Sequence, residues 1–394
     1  MARHNTIIKG DLISWARKRL GMRREDFAVK MNVSLETVDG WESGELPITM
    51  SQAKKLAAMS LLPLGMFFLD SIPDLALSLP DFRSANSAGI TDASPELQAT
   101  IVAMQGKQNW YRSYMQDNER PALSFVKTLT PQHSIAQAAA YIRSVLKTTE
   151  ASVEEVSNWE EYYNFLMRKI EGIGVIVIRN GVLGNNTHRS LDVDEFRGFV
   201  LVDDYAPLIF INGNDSKNAQ IFTLMHELVH VFLGNSGVTA SEMLSGGPNP
   251  VEQYCNKVAA EFLVPESLLH AKWKAVTEKG VFEAVSLLSK EFKVSKLVVI
   301  KRCRDLQLIT GEQAGKLWQS EINEIRAYEE HKKKTGGGSF FASLKYRVGE
   351  FFAQAVIAEV AARNIPYTEA FHLLNVKNVD GLRKLSERVG LPIL

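Results

Sequence analysis

The pattern of hydrophobic and polar positions changes its period along this chain of 394 residues. Apolar residues recur every three to four positions over residues 11–62 and again over most of residues 95–170, and this period predicts amphipathic helices. Three short runs then follow that are rich in β-branched and aromatic residues and bounded by Gly, Pro, Asp and Asn. They occupy residues 174–179, 197–203 and 207–212, and we predict a strand in each. The pattern therefore predicts a mainly α protein with a small β-sheet, in the α+β class.

Further helical patterns place the remaining elements. Between the N-terminal region and the strands, the apolar period predicts helices at residues 95–117, 131–146 and 153–170. After Pro265 the helical pattern resumes, and residues 287–302 have the form of a helix, a turn and a second helix. Residues 339–394 carry apolar side chains at helical intervals, followed by a stretch with the spacing of a short helix-turn-helix. Core packing explains that apolar stripe best.

Two segments of unusual composition predict domain boundaries. Residues 76–94 are rich in Pro, Ser, Asn and Gly, which is typical of a linker. Residues 329–338 combine a run of charges with three glycines, which is typical of a hinge. We therefore predict an N-terminal helical bundle at residues 1–75, a central domain at residues 95–328 and a C-terminal helical unit at residues 339–394.

The composition limits the partners and the cellular compartment that we expect for this protein. The formal net charge is zero and 45% of the residues are hydrophobic, so the chain can build more than one core and carries no global field for nucleic acid or membranes. Cys255 and Cys303 are too few for a disulfide framework and fit a reducing compartment. No signal peptide is evident, and no apolar run approaches the ~18 residues of a membrane span. We expect a cytoplasmic protein without a membrane partner.

Residues 222–232 contain the most informative chemistry. His226 and His230 are four positions apart on an apolar helical stretch, so they share a face and can bind one metal ion. Glu227 lies beside them and could act as general base towards a water molecule at that ion. This HExxH arrangement is typical of zinc peptidases. The alternative is a buried helix in which the two histidines serve packing.

A catalytic zinc site needs three protein ligands and an open position. Residues 250–265 form a second helical pattern in which Glu252 and Asn256 share a face, and two alanines further along would allow close approach to the first helix. We predict Glu252 as the third ligand and Glu261 as the alternative. Asn256 either supports a ligand histidine from the second coordination shell or packs the helix.

These two segments together resemble the ImmA/IrrE family of zinc metallopeptidases. The family pattern of a glutamate four residues before an asparagine, followed by Ala-Ala-x-x-Leu-x-Pro, corresponds here to Glu252, Asn256, Leu263 and Pro265. The resemblance implies a zincin-like, gluzincin-type domain with Zn²⁺ as cofactor. It also implies a protein or peptide substrate, such as a repressor under stress, phage or mobile-element control.

The N-terminal bundle resembles the helix-turn-helix of XRE/Cro-type repressors over about fifty residues, including a Trp-Glu-x-Gly after the recognition helix. The resemblance implies DNA contacts. The candidate residues are Arg23, Arg24, Ser34, Glu36, Thr37 and Asp39. However, acidic groups repel phosphate, Arg24 replaces a usual glutamine and Gly40 replaces a usual polar residue. DNA, a protein partner and a dimer interface therefore all stay open as alternatives for this unit.

Two functions are compatible with these features. The first is a zinc-dependent endopeptidase, fused to a DNA-binding-like module, that cleaves a regulatory protein. The second is a non-catalytic XRE-type regulator or antitoxin with a structural or degenerate metal site. The intact HExxH favours the enzyme, because a structural site has no use for Glu227. Tyr205, Tyr254 and His188 are candidates for the oxyanion donor by residue type alone, and a homo-oligomer is compatible with the sequence.

Overall fold

The computed structural model describes residues 8–73, 93–239, 249–331 and 340–392, apart from the side chains of residues 279, 326, 328–331 and 340–343. The predicted linker at residues 76–94 and hinge at residues 329–338 lie almost entirely outside the described residues. The chain divides into two compact units, one of Met1–Ser78 with Ala88–Ala103 and one of Leu79–Ser87 with Met104–Leu394. Helices make up 63% of the structure beside a small mixed sheet, which confirms the α+β class.

The first unit is a bundle of short helices. Its elements are α1 (Gly10–Arg19), α2 (Arg24–Met31), α3 (Leu35–Ser43), α4 (Met50–Ser60) and a 3₁₀ helix at Leu64–Phe68. Its core contains the fully buried side chains of Leu12, Phe27, Trp41 and Phe67. These positions follow the helical period of the sequence, so the predicted bundle is confirmed over residues 11–62.

Local capping explains where α3 and α4 begin. The Ser34 hydroxyl accepts a hydrogen bond from the backbone N–H of Thr37, which satisfies a free donor at the start of α3. Thr49 and Gln52 form a reciprocal capping box at the start of α4. Gly44 ends α3 with a φ of 81°, a left-handed conformation that glycine adopts without steric cost. Ser34 is therefore the N-cap of α3.

The remaining helices begin with α5, which contributes residues to both units. In chain order they are α5 (Pro95–Asp117), α6 (Ile135–Leu146), α7 (Trp159–Glu171), α8 (Lys217–Leu233), α9 (Pro250–Leu263), α10 (Glu266–Val276), α11 (Val281–Phe292), α12 (Lys296–Asp305), α13 (Gly311–His331), α14 (Phe340–Val348), α15 (Glu350–Ala361), α16 (Tyr367–Leu373) and α17 (Val379–Arg388). Short 3₁₀ helices lie at Glu150–Glu155 and Thr277–Lys279. The helix predicted at residues 153–170 begins only at Trp159, because the Asn158 side chain caps it there.

Six short strands lie in the described part of the second unit. They are β1 (Ile176–Asn180), β2 (Val182–Leu183), β3 (Asn186–Ser190), β4 (Gly198–Leu201), β5 (Leu208–Asn212) and β6 (Gly237–Thr239). The main sheet has the order β1-β5-β4-β6, in which β1 is parallel to β5 and the other pairs are antiparallel. β2 and β3 form a separate antiparallel pair. The three predicted strands correspond to β1, β5 and β4.

Helix α8 packs against the inner part of this sheet, and a glycine makes the contact close. A Cβ atom on Gly198, the first residue of β4, would lie 2.7 Å from Cγ2 of Thr223 and 3.1 Å from Oε1 of Glu227. Neither separation leaves room for a methyl group. Gly198 therefore lets β4 pass directly beneath the part of α8 that carries the predicted general base.

The C-terminal helices pack on the opposite edge of the sheet. Helices α14 and α15 contact the edge strand β1, and the left-handed Gly349 joins them with a φ of 83°. A Cβ atom there would lie 3.1 Å from the carbonyl oxygen of Val177, so this turn also needs glycine. The buried ammonium of Lys107 on α5 donates to the carbonyl of Leu373 at the end of α16. The C-terminal helices thus belong to the same compact unit as the strands.

Among the described residues, no helix combines the length and the apolar character needed to cross a lipid bilayer.

Candidate metal centre

Helix α8 carries both histidines in an almost completely buried setting. It begins after Ser216, whose hydroxyl accepts from the N–H of Ala219, and ends at Gly234 in the left-handed conformation. Every residue from Gln220 to Phe232 is buried, because α8 is apolar on most sides and packs between the sheet and neighbouring helices. A helix held on all sides fixes the side chains that it carries.

Helix α9 carries the third candidate ligand, Glu252, and packs against α8. Its start is set by Asn249, whose side chain accepts from the N–H of Val251, and by Pro250 in the first turn. Ala259 and Ala260 are buried, as expected if small residues let the two helices approach. The Glu252 side chain remains 32% exposed. It therefore lies where the buried cluster meets solvent.

Three side chains from these helices converge. The Nε2 atoms of His226 and His230 are 3.1 Å apart. Oε2 of Glu252 lies 3.1 Å from Nε2 of His226, and its Oε1 lies 3.3 Å from Nε2 of His230. These residues form a group of potential ligand atoms that all lie within 4.8 Å of one another.

The donor set fits a zinc ion. Zinc bonds to nitrogen and oxygen of about 2.0–2.2 Å at tetrahedral angles separate neighbouring ligand atoms by roughly 3.4 Å. The three separations in this cluster are close to that value. Two neutral imidazoles that point their unprotonated nitrogens at each other repel unless a cation or a proton lies between them. A cation held by two nitrogens and one carboxylate relieves this repulsion.

Two of the three groups in the cluster have charge states that suit a cation. Burial alone would raise the pKa of Glu252, but its hydrogen bonds to His226 and His230 outweigh burial and hold that pKa far below its ordinary range. Burial lowers the pKa of His226, which favours the neutral imidazole. Burial acts in the same direction on His230, but contacts with Cys255 and Glu252 outweigh it and raise the pKa of His230, so a metal ion would displace a proton from this imidazole. An ionised carboxylate and neutral imidazoles are the forms that bind metal.

Glu227 lies against the cluster with an unusual environment for a carboxyl group. It is fully buried, and neither of its oxygens has a well-formed hydrogen-bond partner in the part of the chain that the structure describes. Burial raises its pKa to about 8, while the charge of His230 and the Thr239 side chain act in the opposite direction. A carboxyl group with a pKa near neutrality can both accept and release a proton.

Asn256 and Tyr254 lie on the same helix as Glu252. The Asn256 carboxamide acts on His226 through a side-chain hydrogen bond that raises the pKa of the imidazole. The hydroxyl of Tyr254 donates a hydrogen bond to the carbonyl of His133 at 3.1 Å, so its proton points away from the cluster. Tyr205 and His188 make no contact with the cluster among the interactions of the described residues.

The alternative ligand, Glu261, lies elsewhere. Its carboxylate forms a buried ion pair with Arg302 on α12 and accepts from the N–H of Glu266 at 3.4 Å. Arg143 on α6 donates to the Glu261 carbonyl at 2.8 Å. The two arginines thus hold the end of α9. In the sequence, the only indication of this role for Arg143 and Arg302 is that each is an arginine within an otherwise apolar helical face.

The predicted DNA-contacting residues lie together on α2 and α3, and most have partners inside the first unit. Nε of Arg23 lies 3.1 Å from Asp26. Nε of Arg24 lies 2.8 Å from Glu42 and 3.4 Å from Asp39. Ser34 and Thr37 bond to each other at the start of α3. The side chain of Glu36 is exposed on the first turn of α3.

One family model matches the region that contains the candidate metal site, and a second matches the region that contains the candidate DNA contacts. Residues 172–304 match the model of the IrrE N-terminal-like domain of peptidase family M78. Residues 13–59 match a helix-turn-helix model. The chain thus combines a region that matches the helix-turn-helix family with a region that matches the IrrE-like peptidase domain. The matched region of the IrrE-like domain includes the main sheet and the helices that carry the histidines and Glu252.

A third match concerns the helices at the other edge of the sheet. Residues 348–388 match a domain of unknown function, DUF8813, which corresponds to α15, α16 and α17. No curated protein matches the chain. The predicted fusion is therefore confirmed at the level of domain families, and the C-terminal helical unit has a family of its own.

Proposed function

We propose that this chain is a zinc-dependent endopeptidase. The observation that carries the proposal is the convergence of His226, His230 and Glu252 within hydrogen-bonding distance of one another, with Glu227 buried next to them. Membership of the IrrE-like domain in a peptidase family supports it. His226, His230 and Glu252 would hold the ion, and three protein ligands leave the fourth position open.

When bound, Zn²⁺ supplies Lewis-acid activation of a water molecule and of the scissile carbonyl. Glu227 then accepts the proton of the attacking water at a carboxylate oxygen and passes it to the amine that leaves. The burial of Glu227 favours this role, because a carboxylate that is removed from water is a stronger base than a solvated one. Asn256 orients the His226 ring.

The domain organisation and the family resemblance support a proposal for the substrate class. A regulatory protein such as an XRE-type repressor is the proposed substrate, in a response to stress, phage or mobile elements within the cytoplasm. The helix-turn-helix unit is a fold of the DNA-binding type and would place the peptidase near its target. The alternative is a regulator or antitoxin with a structural zinc site. The buried carboxylate of Glu227, which forms no ion pair with any described residue, favours the enzyme over it.

The decisive experiment combines metal content and proteolysis. Zinc per chain is measured by mass spectrometry for the wild type and for His226→Ala, and purified XRE-type repressors serve as test substrates. About one zinc per wild-type chain, together with cleavage that Glu227→Gln abolishes, supports the endopeptidase. Zinc in both the wild type and Glu227→Gln, with no cleavage by either protein, supports the structural site.

A further inference from the structure

Helix α3, the helix that reads bases in DNA-binding relatives of this fold, has an acidic surface. Residues 31–53 contain Glu36, Asp39, Glu42 and Glu45 and no lysine, arginine or histidine. Attraction of basic side chains to phosphate supplies most of the affinity for DNA, and the first residues of the recognition helix contact the base edges. A stretch with four carboxylates and no cation opposes both kinds of contact.

The nearest cations do not compensate for these carboxylates. Arg17 and Arg24 both bind Glu42, with Nε distances of 2.6 and 2.8 Å to its two oxygens. Arg24 also lies 3.4 Å from Asp39. The two positive charges of Arg17 and Arg24 therefore cancel the two negative charges of Asp39 and Glu42. Glu36 and Glu45 form no ion pair within the described residues, so no direct partner cancels their charges.

Two leucines flank the carboxylates. Leu35 at the start of α3 is 38% exposed, and Leu46, just after it, is 47% exposed. Leu46 lies across α3 at Gly40, where a Cβ atom would stand 2.6 Å from the leucine Cδ1, and its N–H donates to the Gly40 carbonyl at 2.8 Å. Gly40, at a position where the family usually has a polar side chain, therefore makes room for an apolar one.

We propose that Leu35, Glu36, Glu45 and Leu46, called the α3 face below, bind a basic amphipathic helix of a protein partner. Leu35 and Gly40 are five positions apart, which is about 7.5 Å along the helix axis and roughly 140° around it, so the two leucines border Glu36 on either side and do not form one row. An opposing helix that crosses α3 can place one apolar side chain on each leucine and its lysines or arginines against Glu36 and Glu45. When a protein surface binds a helix in this way, the apolar contacts provide most of the affinity and the charged pairs determine the orientation of the helix.

The proposal concerns the first unit and goes beyond the proposed peptidase activity. It needs neither zinc nor Glu227, so it can fail while the peptidase assignment stands, and the reverse is also true. Duplex DNA is the competing class of ligand, and its binding to the α3 face is an outcome of the test.

The test uses the full-length protein and two fluorescent probes. One is a synthetic helical peptide of leucine and lysine, five helical turns or about 18 residues long. The other is a mixed-sequence DNA duplex of similar length. Fluorescence anisotropy is measured at about 0.15 M salt, where charges beyond the Debye length are screened. Circular dichroism confirms that each variant is folded.

Glu36→Lys is compared with Glu25→Lys. Both glutamates are exposed and occupy the second position of a helix, α3 and α2 respectively, so a charge reversal has the same effect on each helix dipole. We expect Glu36→Lys to weaken peptide binding by about tenfold or more, Leu35→Ala by about fivefold and Glu25→Lys by less than about twofold, with no binding of the duplex. Equal weakening by both charge reversals, absence of peptide binding, or binding of the duplex that Leu35→Ala weakens would each overturn the proposal.

Discussion

His226 and His230 point their Nε2 atoms at each other across 3.1 Å, and one carboxylate, that of Glu252, spans both rings. The two histidines come from one helix and the glutamate from another, so their meeting depends on the packing of α8 against α9. This triangle of donors is the basis for the predictions on metal binding and catalysis.

The third ligand can be tested by a pair of matched substitutions on α9. Glu252→Gln should weaken zinc binding by more than roughly 100-fold, which is the upper end of the effect of substitutions outside the ligand set. Glu261→Gln should change it far less, because Glu261 is bound to Arg302 and keeps a hydrogen-bond acceptor in this variant. Competition with a fluorescent zinc chelator measures both affinities. The reverse order of the two effects would assign the ligand to Glu261.

The general base can be separated from the metal ligands. Glu227→Gln should keep about one zinc per chain and reduce kcat by about 10²–10⁴, the usual contribution of a positioned base. Glu171→Gln is the control, because Glu171 is also a buried glutamate of the second unit but lies on α7, next to the C-terminal helices. If Glu227→Gln cleaved substrate at the wild-type rate, Glu227 would have no role as base.

The contact between β4 and α8 should tolerate no additional carbon atom. Gly198→Ala places a methyl group against Thr223 and Glu227, and we expect the free energy of unfolding to fall by about 1–3 kcal/mol, as for other overpacked sites. Gly237→Ala on β6 is the matched control, because a Cβ there meets no atom within 4 Å. It should change stability by less than about 0.5 kcal/mol. Urea unfolding compares the two variants, and equal effects would contradict the predicted clash.

The attachment of the C-terminal helices should weaken as the pH falls from about 10 to about 7. Burial lowers the pKa of Lys107 from 10.5 to about 7, so between these values the unfolded chain binds more protons than the folded one. Stability therefore rises with pH in this window, by at most about 1.4 kcal/mol per pH unit. Hydrogen exchange in α15 and α16 measures it. Lys107→Met, compared with the wild type at each pH, should remove the dependence. An unchanged dependence would show that Lys107 does not cause it.

Glu171 should make the stability depend on pH in the opposite direction, over a lower pH range. Burial raises its pKa from 4.5 to about 8, and the nearby charge of Glu350 adds to this, although the N–H of Phe351 donates to its carboxylate at 3.4 Å. The folded chain therefore binds more protons between pH 4.5 and about 8, and stability falls as the pH rises through this window. The same exchange measurement on Glu171→Gln should lose this slope and keep that of Lys107. If Glu171→Gln removed both pH dependences, the substitution would have disrupted the packing of the C-terminal helices in general.

Much of this protein could be predicted from local patterns. The bounds of α5, the three longer strands of the main sheet and the Ser34 cap follow from period, β-branched composition and capping chemistry, which act within a few neighbouring residues. Strand β6 was not predicted, because three residues are too few for an alternation to stand out. The two metal-bearing helices were predicted for the same reason as α5.

Contacts between distant segments required the folded chain. The sequence places His226 and His230 on one face of one helix, because residues four apart are neighbours in any α-helix. It favours Glu252 over Glu261 through the face that Glu252 shares with Asn256 and through the family pattern. However, both glutamates lie on α9, and the choice depends on which side of that helix meets α8 and which meets Arg302. Likewise, the helical period predicts α14 and α15, but their position on β1 depends on a close approach at Gly349 and on Lys107, more than 200 positions away. Helical period and ligand spacing are properties of a single element, whereas ligand choice and interface formation arise from how elements pack.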